Sequence, residues 1–325
     1  MMSKRMRRDG AGRFSLPAGA TGTINTLLSL GDRLEIYTED CTVLSLSPNA
    51  IDPDRTNPDA RWQNSILTNV GSSCPAIART ILMASEMLKQ SIFEKEVDSV
   101  EVLLVVHSVK QNLVSLSLAV DGLVNEIKSE RAEAKSSNFK LDPGGVALAF
   151  YPSVKDLDGR LTNILTLGKK VVVGVSSVFA KFGVTTRRHS RFDYLVKEVV
   201  GASGSSDWFK SYLTGALPGA ERIGHLRDAQ EHDEKHNLKL KNFYSCPDNG
   251  ICGPVINLDN SAWVSLEGEV VQMVEFLINL VEVSFIGCLE QVLSKSYPYC
   301  FVSVESPPDI KPIRYRLTLD LPFSS

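Results

Sequence analysis

The chain has 325 residues, 43% of them hydrophobic, and a formal net charge of −3. The apolar share excludes wholesale disorder, and the near-neutral charge argues against a strongly basic wrapper of nucleic acid. The length suits two domains, or one elongated helical domain with decoration. Six cysteines, Cys41, Cys74, Cys246, Cys252, Cys288 and Cys300, are scattered, and no secretory signal precedes them. Reduced thiols in a cytoplasmic protein are therefore expected.

Lys4, Arg5, Arg7 and Arg8 open the chain, but no apolar run follows them, so residues 1–22 read as a flexible basic tail. Signals are mixed over residues 23–46, where Arg33 to Thr38 alternates like a short strand. Residues 51–59 carry two prolines with Asp and Asn and read as a loop. That loop lacks the glycine and terminal glutamate of a helix–loop–helix calcium site.

Helical periodicity then dominates. Ser72 and Ser73 can cap a helix with Pro75 in its first turn, and Ile77, Ile81, Ala84, Leu88 and Ile92 fall on one face. Further helices are expected at about 97–135, 153–182, 192–200, 207–235 and 266–293, with a break at Pro218. Asp142-Pro143-Gly144-Gly145 lacks the spacing of a phosphate loop and reads as a turn. Arg187, Arg188 and Arg191, with His189, form a small basic cluster, either a solvated connection or a contact for an RNA backbone.

Two apolar stretches invite a membrane test. Val100 to Val120 contains Glu101, His107 and Lys110, and Val270 to Leu293 contains Glu275, Glu282 and Glu290. A span wants about 20 apolar residues with few charges. Both stretches read as core helices, and no membrane partner is expected. The three glutamates of the second should share one solvated stripe.

Strand patterns appear late. Asn249-Gly250 lies between strand-like runs and signals a hairpin, and the runs 299–304 and 313–319 suggest a terminal one.

Residues 221–237 hold three of the five histidines. A structural reading pairs Arg227 with Glu231, and Asp228 with His232, four residues apart on a helix surface. A zinc reading takes His232 and His236, also four apart, with Cys246 and Cys252. Asp233 stands where zinc proteases carry glutamate, and the cysteines are wrongly spaced. Neither metal nor cofactor is therefore expected.

The third reading is a ribonuclease site. Arg227-Asp228-x-x-x-His232 resembles the Arg-polar-x3-His motif of the HEPN superfamily of helical-bundle RNases and toxins. Leu226 to Glu234 is similar to the LRNAxEHxDE segment of uncharacterised bacterial helical proteins. There, as here, it precedes a strand with Asn-Phe (Asn242-Phe243), an Asp-x-Gly turn (Asp248-Asn249-Gly250), a proline (Pro254) and a long apolar helix. The resemblance spans about residues 190–295, with Asp228 where those relatives more often have asparagine. It implies a symmetric homodimer that pools two motifs.

Metal-free RNA cleavage needs a base for the 2′-hydroxyl and a cation for the phosphate. His232 suits the first task and Arg227 the second, with Asp228 orienting the imidazole. Five residues advance a helix by about 500°, so Arg227 and His232 converge only if the helix ends near Glu231 or a second subunit completes the site.

The expectation is a mainly α protein: a helical bundle with small β-hairpin appendages near the C-terminus. A helical region with an extended loop would occupy residues 23–140, and a HEPN-like bundle with hairpins residues 141–325. The expected function is metal-independent RNA cleavage or RNA binding. The alternative is a non-catalytic helical scaffold that binds a protein partner.

Overall fold

The computed structural model describes residues 15–31, 33–136, 152–231, 236–246 and 250–320. The chain opens with β1 (Ile24–Leu30), β2 (Arg33–Thr38), β3 (Thr42–Leu46), a one-turn α1 (Pro48–Ile51) and β4 (Gln63–Thr68). Next come α2 (Pro75–Ile77), a π-helical segment at Ala78–Leu82, and α3 (Met83–Gln90). Four long or medium helices follow: α4 (Ser99–Ser136), α5 (Leu157–Lys181), α6 (Phe192–Gly201) and α7 (Asp207–Glu231). Short strands β5 (Leu238–Lys241), β6 (Tyr244–Ser245), β7 (Ile251–Cys252), β8 (Val255–Leu258) and β9 (Val264–Ser265) lead to α8 (Leu266–Val292). The chain closes with β10 (Tyr299–Ser303) and β11 (Tyr315–Leu319).

The protein is thus a mixed α/β fold, about 51% helix and 18% strand, and not the mainly α bundle its sequence suggests. The correction comes from the N-terminal region, where β1 to β4 form one antiparallel sheet in sequential order. Its second strand falls where Arg33 to Thr38 alternates, as expected, and that strand is covered on both faces. Leu34 and Ile36 point to one side, where Ile36 joins Val43, Cys41, Ile66, Leu16 and Ala20 in an apolar cluster. Glu35 and Tyr37 point to the other side, and both are fully buried. The alternation of β2 is thus present in the sequence, but its polar side is as buried as its apolar side.

The chain divides into two compact units, Met1–Lys110 with Cys288–Ser325, and Gln111–Gly287. The first unit holds the four-stranded sheet, the Pro75–Gln90 helical segment and the antiparallel β10–β11 hairpin. Gly71 sits where a side chain has no room, since a Cβ there would lie 2.3 Å from the Thr38 carbonyl oxygen. That close approach lets the Ser72 N–H donate to the same carbonyl at 2.7 Å, while the Ser72 hydroxyl donates to the Ile310 carbonyl. Asp98 caps α4, accepting from the Val100 and Glu101 N–H groups at 3.0 Å each. The cap proposed at Ser72 or Ser73 falls instead on Cys74, which makes no side-chain cap bond.

The second unit packs α5 and α6 against α7 and adds the small sheet β5-β8-β9 and the β6–β7 pair. Its helices meet through small residues: a Cβ at Gly287 would fall 2.2 Å from the Phe209 ring. Around the expected hairpin β6 pairs with β7, with the Cys246 N–H bonded to the Gly250 carbonyl at 2.9 Å, while Asn249 lies outside the described residues. A second tight turn follows β8, where Asp259 and Asn260 both adopt positive φ and the Ser261 N–H closes on the Leu258 carbonyl. α7 runs through Pro218 as one helix.

The glutamate stripe expected on α8 is not uniform: Glu275 is exposed, Glu290 is half-buried and Glu282 is fully buried. By length and composition alone, three helical stretches are long and apolar enough to cross a membrane: 99–135, 157–181 and 266–292. Between 44% and 61% of the most apolar part of each is buried inside the protein.

Candidate functional site

The polar segment picked out by its histidines falls at the end of α7 in the second unit. Arg227 and Asp228 lie on the last described turns of this helix. His232 itself lies outside the described residues, as do Asp233 and Asp248. Arg227 is held by two carboxylates, Asp228 at 3.2 Å and Glu231 one turn on. Asp228 turns toward a cleft of about 250 Å³ whose wall is drawn from α5, α6, α7 and the start of the small sheet.

That cleft gathers a distinct set of groups. Lys169 comes from α5, Arg191 from the residue before α6, Glu221, His225 and Asp228 from α7, and His236 from the strand approach. Three helical turns of α7 deliver its share, because positions 221, 225 and 228 recur on one face. Gly224 leaves room for the Lys169 ammonium, which would stand 3.3 Å from a Cβ there. Among the described residues that ammonium has no hydrogen-bond or ion-pair partner. It is the open cation of the cleft.

The two imidazoles stack, with ring centroids 4.2 Å apart and planes inclined by 25°. His236 is oriented from behind. Its Nδ1 donates to Asp259 Oδ2 at 2.8 Å, while the Asn237 N–H donates to Asp259 Oδ1 at 2.8 Å. The backbone N–H bond and then the imidazole bond keep the Asp259 carboxyl below its ordinary range, so it stays an acceptor. Fixing Nδ1–H in this way leaves Nε2 as the basic nitrogen of His236. The turn that places Asp259 is the Asp259-Asn260 pair, a positive-φ signal readable in sequence but overshadowed by Asn249-Gly250.

The expected RNA-contact arginines divide. Arg187 and Arg188 are exposed on the connection after α5. Arg191 lines the cleft and also grips Asp193 through Nε at 3.0 Å and a terminal nitrogen at 3.1 Å. Burial pushes the Asp193 carboxyl up, but the bonds from Arg191 and Lys197 outweigh it and leave it lowered. His189, grouped with them by sequence, is instead bound by Glu198.

Cys246 and Cys252, the thiols of the zinc alternative, are joined in a disulfide across the β6–β7 pair. The expectation of six reduced thiols is corrected to this extent, because Cys252 lies opposite Tyr244 and Cys246 comes two residues after Tyr244, which makes the cysteines diagonal neighbours on one face of the pair. No group of three metal-ligating side chains occurs among the described residues.

A second polar constellation lies in the first unit and was not singled out by sequence reasoning. Glu35 accepts from His107 Nε2 at 2.6 Å, from the Lys110 ammonium at 3.1 Å, and from the Tyr37 hydroxyl. The Arg33 guanidinium approaches His107 Nδ1 at 3.4 Å. Glu35, Tyr37, His107 and Lys110 are all buried. His107 and Lys110 are three apart on α4 and thus share a face, but their partner is 72 residues away from His107. Nothing local in the sequence announces that pairing.

No family model matches the chain, and neither a curated protein nor a solved structure is similar to it.

Proposed function

We propose that the protein binds RNA and cleaves it without metal, through the cleft of the second unit. The observation that carries this reading is an ammonium with no partner among the described residues, Lys169, in the same cleft as an imidazole, His236, whose Nδ1 is committed to Asp259. A neutral imidazole is matched to taking the 2′-hydroxyl proton near pH 7, and a cation offsets charge building on the phosphate oxygens. In this scheme His236 Nε2 accepts the 2′-proton and the 2′-oxygen attacks the adjoining phosphorus. Lys169 and Arg191 hold the phosphate. The 5′-oxygen leaves with a proton from a second imidazole, for which His232, next in sequence to Glu231, is the candidate. Asp228 lines the cleft and orients that group. The products are a 2′,3′-cyclic phosphate and a 5′-hydroxyl.

The role first expected of Arg227 passes to Lys169 in this reading, because Arg227 already faces two carboxylates. The resemblance to HEPN proteins supports the choice of RNA and the proposal of a homodimer in which paired subunits pool their motifs. A scaffold without activity is the competing reading, and the ion pairs of Arg227 favour it.

Incubating purified protein with end-labelled RNA in chelator tests the proposal. Lys169→Ala and His236→Ala are each expected to slow cleavage by about 100-fold or more. RNA that is neither bound nor cut by the parent protein overturns the reading.

A further inference from the structure

The β10–β11 hairpin of the first unit leaves one edge of β11 bare. Two bonds of 2.8 Å close the ends of its ladder, Val304 N–H to the Arg314 carbonyl and Asp320 N–H to the Pro298 carbonyl. Val302 lies opposite Arg316 and Cys300 opposite Thr318, so antiparallel alternation turns the N–H and C=O of Arg316 and Thr318 toward β10. Those of Tyr315, Leu317 and Leu319 face away, and β11 pairs with no other strand among the described residues. That edge borders a groove of about 400 Å³ whose far wall is α3, through Glu86, Met87 and Gln90. Four successive residues, Tyr315 to Thr318, line the groove, as a strand does along its edge and not across one face. Exposed edges are usually blunted by proline, lysine or a bulge. Both outer strands of the four-stranded sheet have a register shift, whereas Tyr-Arg-Leu-Thr-Leu of β11 pairs in unbroken register and holds neither proline nor lysine.

We infer that this groove binds an extended acidic peptide, which adds to β11 as a third strand. The outward N–H and C=O groups of Tyr315, Leu317 and Leu319 hold its main chain, and the side chains on either face select its sequence. The sign of the partner follows from the two charges that line the groove. Glu86 is neutralised by Lys311, while Arg316 is exposed and has no partner among the described residues. A strand laid beside β11 sets one of its side chains next to Arg316, and a carboxylate there makes a favourable cross-strand pair. The other face of β11 looks toward α3, since Tyr299 on that face donates its hydroxyl to the Gln90 carbonyl at 3.1 Å. There Leu317 and Met87 give the groove its apolar side. Alternate acidic and apolar side chains therefore fit it. The groove shares no residue with the RNA cleft.

The test uses the full chain and fluorescein-labelled peptides, with binding read by anisotropy. The probes are Val-Glu-Val-Glu-Val, its counterpart Val-Lys-Val-Lys-Val, and two forms of the first, N-methylated at the valines or at the glutamates. The parent protein is expected to bind the glutamate peptide about tenfold more tightly than the lysine peptide. At least one N-methylated form should bind about tenfold more weakly than the unmodified peptide, since strand addition rests on main-chain bonds along one edge. Arg316→Glu, at an exposed position, should transfer the preference to the lysine peptide. Tyr315→Pro removes an outward N–H at the first residue of the strand, where proline is tolerated, and should weaken binding of the glutamate peptide. A parent that binds neither unmodified peptide overturns the inference, as does a preference that Arg316→Glu leaves in place. Equal binding of the unmodified and both N-methylated peptides overturns strand addition. A dimer in sedimentation that Tyr315→Pro dissolves makes a second copy the occupant and overturns the peptide assignment equally.

Discussion

Glu35 on β2 and His107 on α4 share a 2.6 Å hydrogen bond with both side chains buried. The geometry fixes the imidazole as the Nε2–H tautomer, because Nδ1 faces the Arg33 guanidinium and can only accept from it. Lys110 supplies the counter-charge to the carboxylate at 3.1 Å. Removing the carboxylate leaves a buried ammonium with no anion. Glu35→Ala should therefore destabilise the first unit by about 3–5 kcal/mol, read as a lower urea midpoint. The paired replacement Glu35→Leu with Lys110→Met should recover only part of that loss, since it removes the buried ammonium but leaves His107 and Tyr37 without their acceptor. A Glu35→Ala variant as stable as the parent would refute the assignment.

The same carboxylate sets an acid limit. Burial raises its pKa, but the bond from His107, the charge of Lys110 and the bond from Tyr37 together bring it from 4.5 to about 2. The folded state thus binds fewer protons than the unfolded state between those values. Its stabilisation is complete above pH 4.5 and fades as pH falls toward 2. At the alkaline end, burial raises Tyr37 further above 10, so the unfolded chain releases that proton first and stability falls as pH rises beyond 10. Burial lowers the Lys110 pKa from 10.5, despite the attraction of Glu35, and so works against this alkaline loss. Urea midpoints measured against pH should show the acid fall in the parent and a flatter acid limb in Glu35→Gln.

The disulfide makes a chemical count possible. Denatured without reductant, the protein should take up alkylating reagent at four cysteines, Cys41, Cys74, Cys288 and Cys300, and at six once reduced. Folded, it should label first at the half-exposed Cys74 and Cys300, because Cys41 and Cys288 are buried. Intact-mass spectrometry reads both results. Six labels without reductant would mean a reduced protein, as a cytoplasmic setting favours.

The Gly287–Phe209 contact predicts a steric conflict and its cure. An added Cβ would fall 2.2 to 2.5 Å from three ring atoms. Gly287→Ala should cost about 1–3 kcal/mol in the second unit. Combining it with Phe209→Leu should give less loss than the two single changes summed, a coupling measured by a double-mutant cycle. Additive losses would show that the two positions do not touch.

Much of the helical framework is legible in the chain because it depends on local period. Ile164, Leu165, Val171, Val172 and Val175 of α5 are all buried, as one apolar face should be. The terminal hairpin also follows from alternation, with Leu317 buried between exposed Arg316 and Thr318. The four-stranded sheet was missed because its recognition depends on which residues end up opposite each other. Glu35 pairs with Leu28 on one side and Leu44 on the other, and only the completed sheet shows that its carboxylate faces inward. The cleft was half legible. Arg191, Asp228, His225 and His236 lie within the two polar segments that stand out in the sequence, whereas Lys169 sits in the α5 pattern, brought to Gly224 only by helix packing.

The first unit is assembled from both ends of the chain, and this has a bearing on how the protein is made. Ser72 reaches the carbonyl of Ile310, and Glu86 pairs with Lys311, so residues made early wait for residues made 225 or more positions later. During synthesis the second unit emerges whole from the ribosome while the first unit still lacks β10 and β11. Truncation before Ile310 would therefore harm a region translated long before the cut.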